Sequence, residues 1–189
     1  MLSWEQLIKD CSDCNRCNLG RTRSNIVIER GSRNAPLMFV GEGPGEQEDL
    51  QGKPFVGPAG KLLDLLLDAL MFKKDEYYIA NIVKCRPPGN RVPLDEEAEK
   101  CLPFLRNQVL LVKPQIIVCL GSTAMKYIID RDARITKIRG QWIERKGFWI
   151  MPTFHPAALL RDESKKVLMW EDIKKVKNKL ESLCQNRKI

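Results

Sequence analysis

The sequence predicts an α/β fold, a three-layer α/β/α sandwich around a mostly parallel central sheet of about four strands. Three observations carry this expectation. Short apolar runs alternate along the chain with segments of helical period. Glycines, an asparagine and the sole histidine fall at or just beyond the ends of those runs, where parallel sheets bind their ligands. No internal repeat, low-complexity tract or Gly/Ser linker breaks the 189 residues, so 1–189 reads as a single domain.

The elements follow in order. Residues 37–40 (LMFV) form an apolar run that stops at Gly41, the pattern of a buried strand. Residues 59–71 (AGKLLDLLLDALM) carry leucines on a helical period, and residues 77–83 (YYIANIV) are β-rich. Residues 95–111 read as a helix that Asp95, Glu96 and Glu97 open favourably, with Pro103 as a candidate kink. Residues 115–120 (QIIVCL) form the next buried strand, and Ser122 or Thr123 is expected to cap the helix after it. Strands are expected over 138–145 and 148–151, with His155 shortly after, and an amphipathic helix over 164–183.

Composition narrows the class. With 43% hydrophobic and 30% charged residues the chain is globular, and no apolar run approaches the ~18–20 residues of a membrane span. The opening MLSWEQLIKD lacks a basic n-region followed by an apolar stretch, so an intracellular protein of the cytoplasm or nucleoid is expected. Thirty-two Lys and Arg against 24 Asp and Glu give +8, a balance that favours polyanion partners. Seven cysteines is an odd number in a chain that is not small, which argues for metal-held thiols over a disulfide framework.

Cys14 and Cys17 form a C-x2-C pair; Cys85 follows a strand and Cys101 comes 16 residues later. Thiolates at these positions could hold Zn2+ or an iron–sulfur cluster. One histidine excludes a two-Cys, two-His finger, and the missing second C-x2-C disfavours a zinc ribbon. Cys11 could replace either early ligand, Cys119 reads as a buried apolar residue, and Cys184 as a bystander. The loop Gly41-Glu42-Gly43-Pro44-Gly45-Glu46-Gln47-Glu48-Asp49 satisfies neither phosphate-binding motif, and its carboxylates would repel a phosphate. A strand-end loop with exposed N–H groups ringed by acids suits an uncharged polar ligand or a cation-like transition state.

Taken together, Gly41-Glu42-Gly43-Pro44-Gly45-Glu46, Gly52-Lys53-Pro54-Phe55-Val56-Gly57-Pro58-Ala59-Gly60, Ala80-Asn81 and His155-Pro156-Ala157-Ala158-Leu159-Leu160-Arg161 resemble the family 4 uracil-DNA glycosylases. The resemblance runs from about Cys14 to Arg161 and implies a parallel-sheet α/β sandwich. It also implies that Cys14, Cys17, Cys85 and Cys101 ligate a [4Fe-4S] cluster. The implied reaction is hydrolysis of the N-glycosidic bond of uracil in DNA, releasing the base and leaving an abasic site. The implied enzyme is monofunctional, monomeric, and acts on single- or double-stranded uracil-containing DNA.

Each matched residue then takes a chemical part. Phe55 is the π-platform for the extruded base, and the Asn81 amide matches uracil N3–H and O4 together. Cytosine presents the opposite pattern there. His155 donates to uracil O2 as charge builds on the leaving base. Gly41, Glu42 and Gly43 line the pocket. Leu159 is the expected wedge in the vacated stack, with Arg161 and Arg86 as DNA contacts. The pattern departs from the wider superfamily's G-Q-D-P-Y-H at two places. Gly43 stands where an aspartate would position water, and Gly45 where a bulky residue would reject the thymine methyl. Glu42 is the nearest carboxylate for the water, and Glu48 the candidate for crowding C5.

Two other classes compete. A non-catalytic nucleic-acid-binding module on a four-cysteine zinc or iron–sulfur site explains charge and cysteines, but leaves Phe55, Asn81 and His155 without work. An electron-transfer protein explains only the cluster.

Overall fold

The structure is a computed structural model describing residues 3–145 and 147–185; the ends of the expected 1–189 domain and Lys146 lie outside the described residues. Six strands form one sheet among them: β1 Arg30–Gly31, β2 Leu37–Gly41, β3 Tyr77–Asn81, β4 Ile116–Leu120, β5 Ile143–Arg145 and β6 Phe148–Thr153, in the order β1-β3-β2-β4-β6-β5. The central β3-β2-β4-β6 set is parallel, as expected. The expected four-stranded sheet gains two short antiparallel edges, β1 on β3 and β5 on β6.

The helices are α1 Trp4–Ser12, α2 Leu19–Thr22, α3 Glu46–Gln51, α4 Pro58–Ala69, α5 Asp95–Val112, α6 Ser122–Ile128, α7 Ile135–Ile138, α8 Pro156–Arg161 and α9 Lys165–Gln185. Strand alternation assigns them to two layers. Met38, Val40, Tyr78, Ala80, Ile117 and Cys119 face one core with Ala98, Leu102 and Leu105 of α5 and Met125 of α6. Leu37, Phe39, Ile79, Val118 and Met151 face the other with Leu63 and Leu67 of α4, Leu159 of α8, and Met169, Ile173 and Val176 of α9. Every residue of β2, β3 and β4 is buried, so these strands show continuous apolar runs.

Three local expectations are corrected. Residues 138–145 are not one strand: Ile138 ends α7, Gly140 N–H donates to Pro152 O at 2.8 Å, and the strand begins at Ile143. The next strand runs past the expected 151 through Pro152, beyond the last β5 pair at Ile150, where that side of the ladder has ended. The cap of α6 is Gly121 rather than Ser122 or Thr123; its φ of 91° favours glycine. The helix over α5 continues through Pro103.

The chain crosses from one side of β2 to the other between β3 and β4. That reversal opens a crevice at the carboxyl ends of the strands. Gly41, Asn81, Gly121 and His155 all lie at that end.

Candidate active site

Gly41 and Asn81 are register partners at the ends of β2 and β3. A Cβ on residue 41 would lie 2.5 Å from Asn81 Oδ1 and 2.6 Å from Phe55 Cζ, so only glycine lets the three meet. Asn81 is 2% exposed, and its Oδ1 is a buried acceptor with no protein donor. Such an atom normally costs free energy unless a ligand satisfies it.

His155 faces Phe55, ring centroids 5.6 Å apart and planes inclined by 32°. It caps α8: its Nδ1 accepts from Ala157 N–H at 3.1 Å. The neutral ring therefore carries its proton on Nε2, as a donor. Burial, and then the charge of Arg161, pull the His155 pKa down to about 4 against an opposing pull from Glu48. At neutral pH it is an uncharged donor.

The acidic loop divides its labour. Glu42 Oε2 accepts from the Thr123 hydroxyl on α6, which fixes this carboxylate beside the pocket glycines. Glu48 works on the loop itself: Oε1 accepts from Val56 N–H at 2.9 Å and Gly57 N–H at 2.7 Å, and Oε2 from Gly45 N–H at 3.1 Å. Asp49 is buried and takes Ser24 N–H at 3.0 and 3.1 Å. Gly43 packs on Val83, 2.7 Å from where its Cβ would be.

Cys14, Cys17, Cys85 and Cys101 line one small cavity with Arg16, Lys84, Lys100 and Phe104. Arg23 Nη1 donates to Cys85 Sγ at 3.3 Å and to Cys14 O at 3.0 Å, tying the N-terminal pair to the β3 side. Burial raises the thiol pKa of Cys85, and of Cys101 to about 11. Cys11 instead packs in a satellite core with Leu7, Ile28 and Phe104, its pKa pushed to about 12, and Cys119 is buried in β4. Cys184 is exposed.

Residues 28–178 match the Uracil DNA glycosylase superfamily. The type-4 uracil-DNA glycosylase of Thermotoga maritima is 42% identical over 186 residues, covering 94% of this chain and 97% of that protein. The chain belongs to the type-4 uracil-DNA glycosylases. Type-4 enzymes of Sulfurisphaera tokodaii (41% identical, 94% of this chain, 84% of theirs) and Archaeoglobus fulgidus (38%, 93% and 92%) match it similarly.

Within this type-4 enzyme the structure brings together Gly41, Phe55, Asn81 and His155, with Glu42 beside them, and reassigns others. Leu159 cannot serve as the wedge in this arrangement: it is 3% exposed in the core under α4 and α9, whereas Leu160 is 53% exposed. Glu48 is turned to backbone N–H groups, which replaces the expected crowding of C5 with a loop-holding task. Arg161 is exposed at the end of α8. Arg86 is half-buried, donating to Asn90 Oδ1 at 2.7 Å and standing 3.5 Å from Glu46. Lys84 is 1% exposed and donates to Asn81 O at 2.6 Å. Sequence reasoning missed the tasks of Thr123 and Arg23; a hydroxyl in a helix's first turn and an arginine near a C-x2-C pair were the available signals.

Proposed function

We propose that this glycosylase hydrolyses the N-glycosidic bond of uracil in DNA, releasing free uracil and leaving an abasic site. The buried, unpartnered Asn81 Oδ1 beside Gly41, Phe55 and His155 carries the reading. It is an acceptor waiting for a donor in an aromatic-walled pocket, and uracil N3–H supplies one. The Asn81 amide nitrogen donates to O4, and Phe55 offers its face to the extruded ring.

Cleavage separates a cation-like sugar from a uracil anion. Neutral His155 donates from Nε2 to uracil O2, where negative charge develops, at no cost of deprotonation. Glu42, held by Thr123, orients the water that adds to the sugar carbon; the proton that water loses ends on solvent or on the departing base. Arg161 and Arg86 contact phosphates and the exposed Leu160 fills the vacated stack, on single- or double-stranded DNA, with the enzyme acting as a monomer in the nucleoid.

Cys14, Cys17, Cys85 and Cys101 would hold a [4Fe-4S] cluster. Among the described residues no three ligating side chains are placed to hold one metal ion. Iron–sulfur clusters are held by four Cys thiolates, and these four line one cavity, brought there by the N-terminal segment, the segment after β3 and α5. When bound, the cluster pins the N-terminal segment to β3 and α5.

The test is release of free base from matched oligonucleotides with one uracil or one cytosine. Wild-type protein is expected to release uracil alone. Asn81→Asp removes the donor to O4 and is expected to raise the cytosine-to-uracil rate ratio while total activity falls. An unmoved ratio with near-normal uracil release would take Asn81 out of base reading.

A further inference from the structure

Lys84 is the outlier among the buried groups. Its side chain is 1% exposed, and Nζ donates to the carbonyl oxygen of Asn81 at 2.6 Å. No carboxylate lies within ion-pair distance of it among the described residues: the ion pairs there involve other lysines and arginines. Glu29, the acid whose charge reaches it, is held by Arg33 at 2.9 Å. An ammonium buried without a counter-charge is strongly disfavoured.

The groups facing Lys84 identify what completes it. The charges that reach it are those of the Cys101, Cys11 and Cys85 thiols and, after them, Glu29, and Lys84 lines the same cavity as Cys14, Cys17, Cys85 and Cys101. In the other direction, five consecutive buried residues, Asn81 to Cys85, join the base-reading position to a cavity thiol. Ile82 N–H to Gly41 O (2.9 Å) and Val83 N–H to Glu42 O (3.2 Å) hold this segment against the pocket loop.

We propose that Lys84 is a positioning residue that joins the two sites: its ammonium is the fixed counter-charge of the thiolate-held cluster, and its bond to the Asn81 carbonyl makes the base-reading amide depend on occupancy of the cysteine cavity. This rests on the cluster and base-reading assignments above. Four thiolates with iron and sulfide carry net negative charge, which repays burial of the ammonium. With the cavity empty, the cation has only a carbonyl to hold it in place.

The test compares wild type, Lys84→Met and Lys84→Gln as full-length, iron-loaded proteins. A nearby positive charge favours the more negative, reduced cluster, so both variants are expected to show a lower reduction potential. Both should lose iron to a chelator about 10–100-fold faster, the scale of lost support around metal ligands. Lys84→Met should also slow single-turnover uracil release about tenfold or more, with binding to abasic-site-analogue DNA within about twofold of wild type. Lys84→Gln keeps a donor for Asn81 O and should retain more of that rate; it also carries the redox readout if Lys84→Met fails to fold. Unchanged potential and iron retention in either iron-loaded variant would overturn the proposal alone. Wild-type protein without iron would overturn the cluster reading and this proposal with it.

Discussion

Two buried charges brace the base pocket from opposite flanks of the parallel sheet, and the protein completes only one of them. Asp172 of α9 is fully buried and accepts from Arg139 Nε at 3.0 Å, Arg139 Nη2 at 2.6 Å and Thr153 Oγ1 at 2.7 Å. Thr153 ends β6, two residues before His155. Lys84 stands three residues beyond Asn81 with one carbonyl for a partner. The contrast separates tasks. A charge whose partners all come from the chain serves the fold, whereas one left open by the chain is matched to something the chain binds.

Asp172→Ala is expected to have the largest effect on stability. Removing one member of a buried, bidentate pair costs about 3–5 kcal/mol, and Arg139, with 18% of its side chain exposed, recovers part of this by reaching water. Denaturant unfolding should show a loss near 3 kcal/mol, with specific activity per folded molecule close to wild type. A variant of wild-type stability that lost its activity would reverse the assignment.

His155→Ala comes next, with an expected ~10²–10³-fold drop in the single-turnover rate and little change in DNA binding, the scale of one lost oxyanion donor. Weakened binding with an intact rate would make His155 a DNA contact. Its pKa also sets a pH signature. His155 titrates near 4 when folded against an ordinary value of 6.5, so the unfolded chain takes up a proton first as pH falls. Stability linked to this group is intact above pH 6.5 and declines from there to pH 4, by about 3 kcal/mol in all. His155→Ala should flatten that part of the stability–pH curve.

Thr123→Val is the smallest perturbation. Losing the hydroxyl that holds Glu42 should slow the chemical step roughly tenfold, on the scale of one hydrogen bond to a charged group. Thr123→Ser should restore the rate. Equal stability losses in both variants with unchanged rates would confine Thr123 to packing.

Much of this architecture is legible in the chain because it is written locally. β2, β3 and β4 are buried on both faces, so their apolar runs survive without alternation, and the leucine period of α4 marks its buried stripe. The edge strands are two and three residues long, too short for any period. α1, whose Ser3 cap accepts from Gln6 N–H at 3.2 Å, buries only Leu7 and Cys11 and left no strong pattern. At the site, the motif located Phe55, Asn81 and His155 by number. It did not distinguish Leu159 from Leu160, since a six-residue helix leaves the buried face to be set by α4 and α9. Nor could it show Lys84 inside: a lysine beside a strand end looks solvated until the cysteine segments close over it.

Phe55 sits at φ 57°, a backbone region that bulky side chains rarely adopt. Arg30 clamps its carbonyl through Nη1 while pairing with Asp64 of α4. The unfavourable conformation, a cost of about 1–3 kcal/mol, is thus settled once, when the chain folds. A repair enzyme inspects a vast excess of normal bases for each damaged one, so any reordering demanded at each visit would lengthen every stop along the duplex. With the aromatic wall already set, rejection of a normal base requires no rebuilding of the pocket, and the pace of search is left to how fast bases leave the stack.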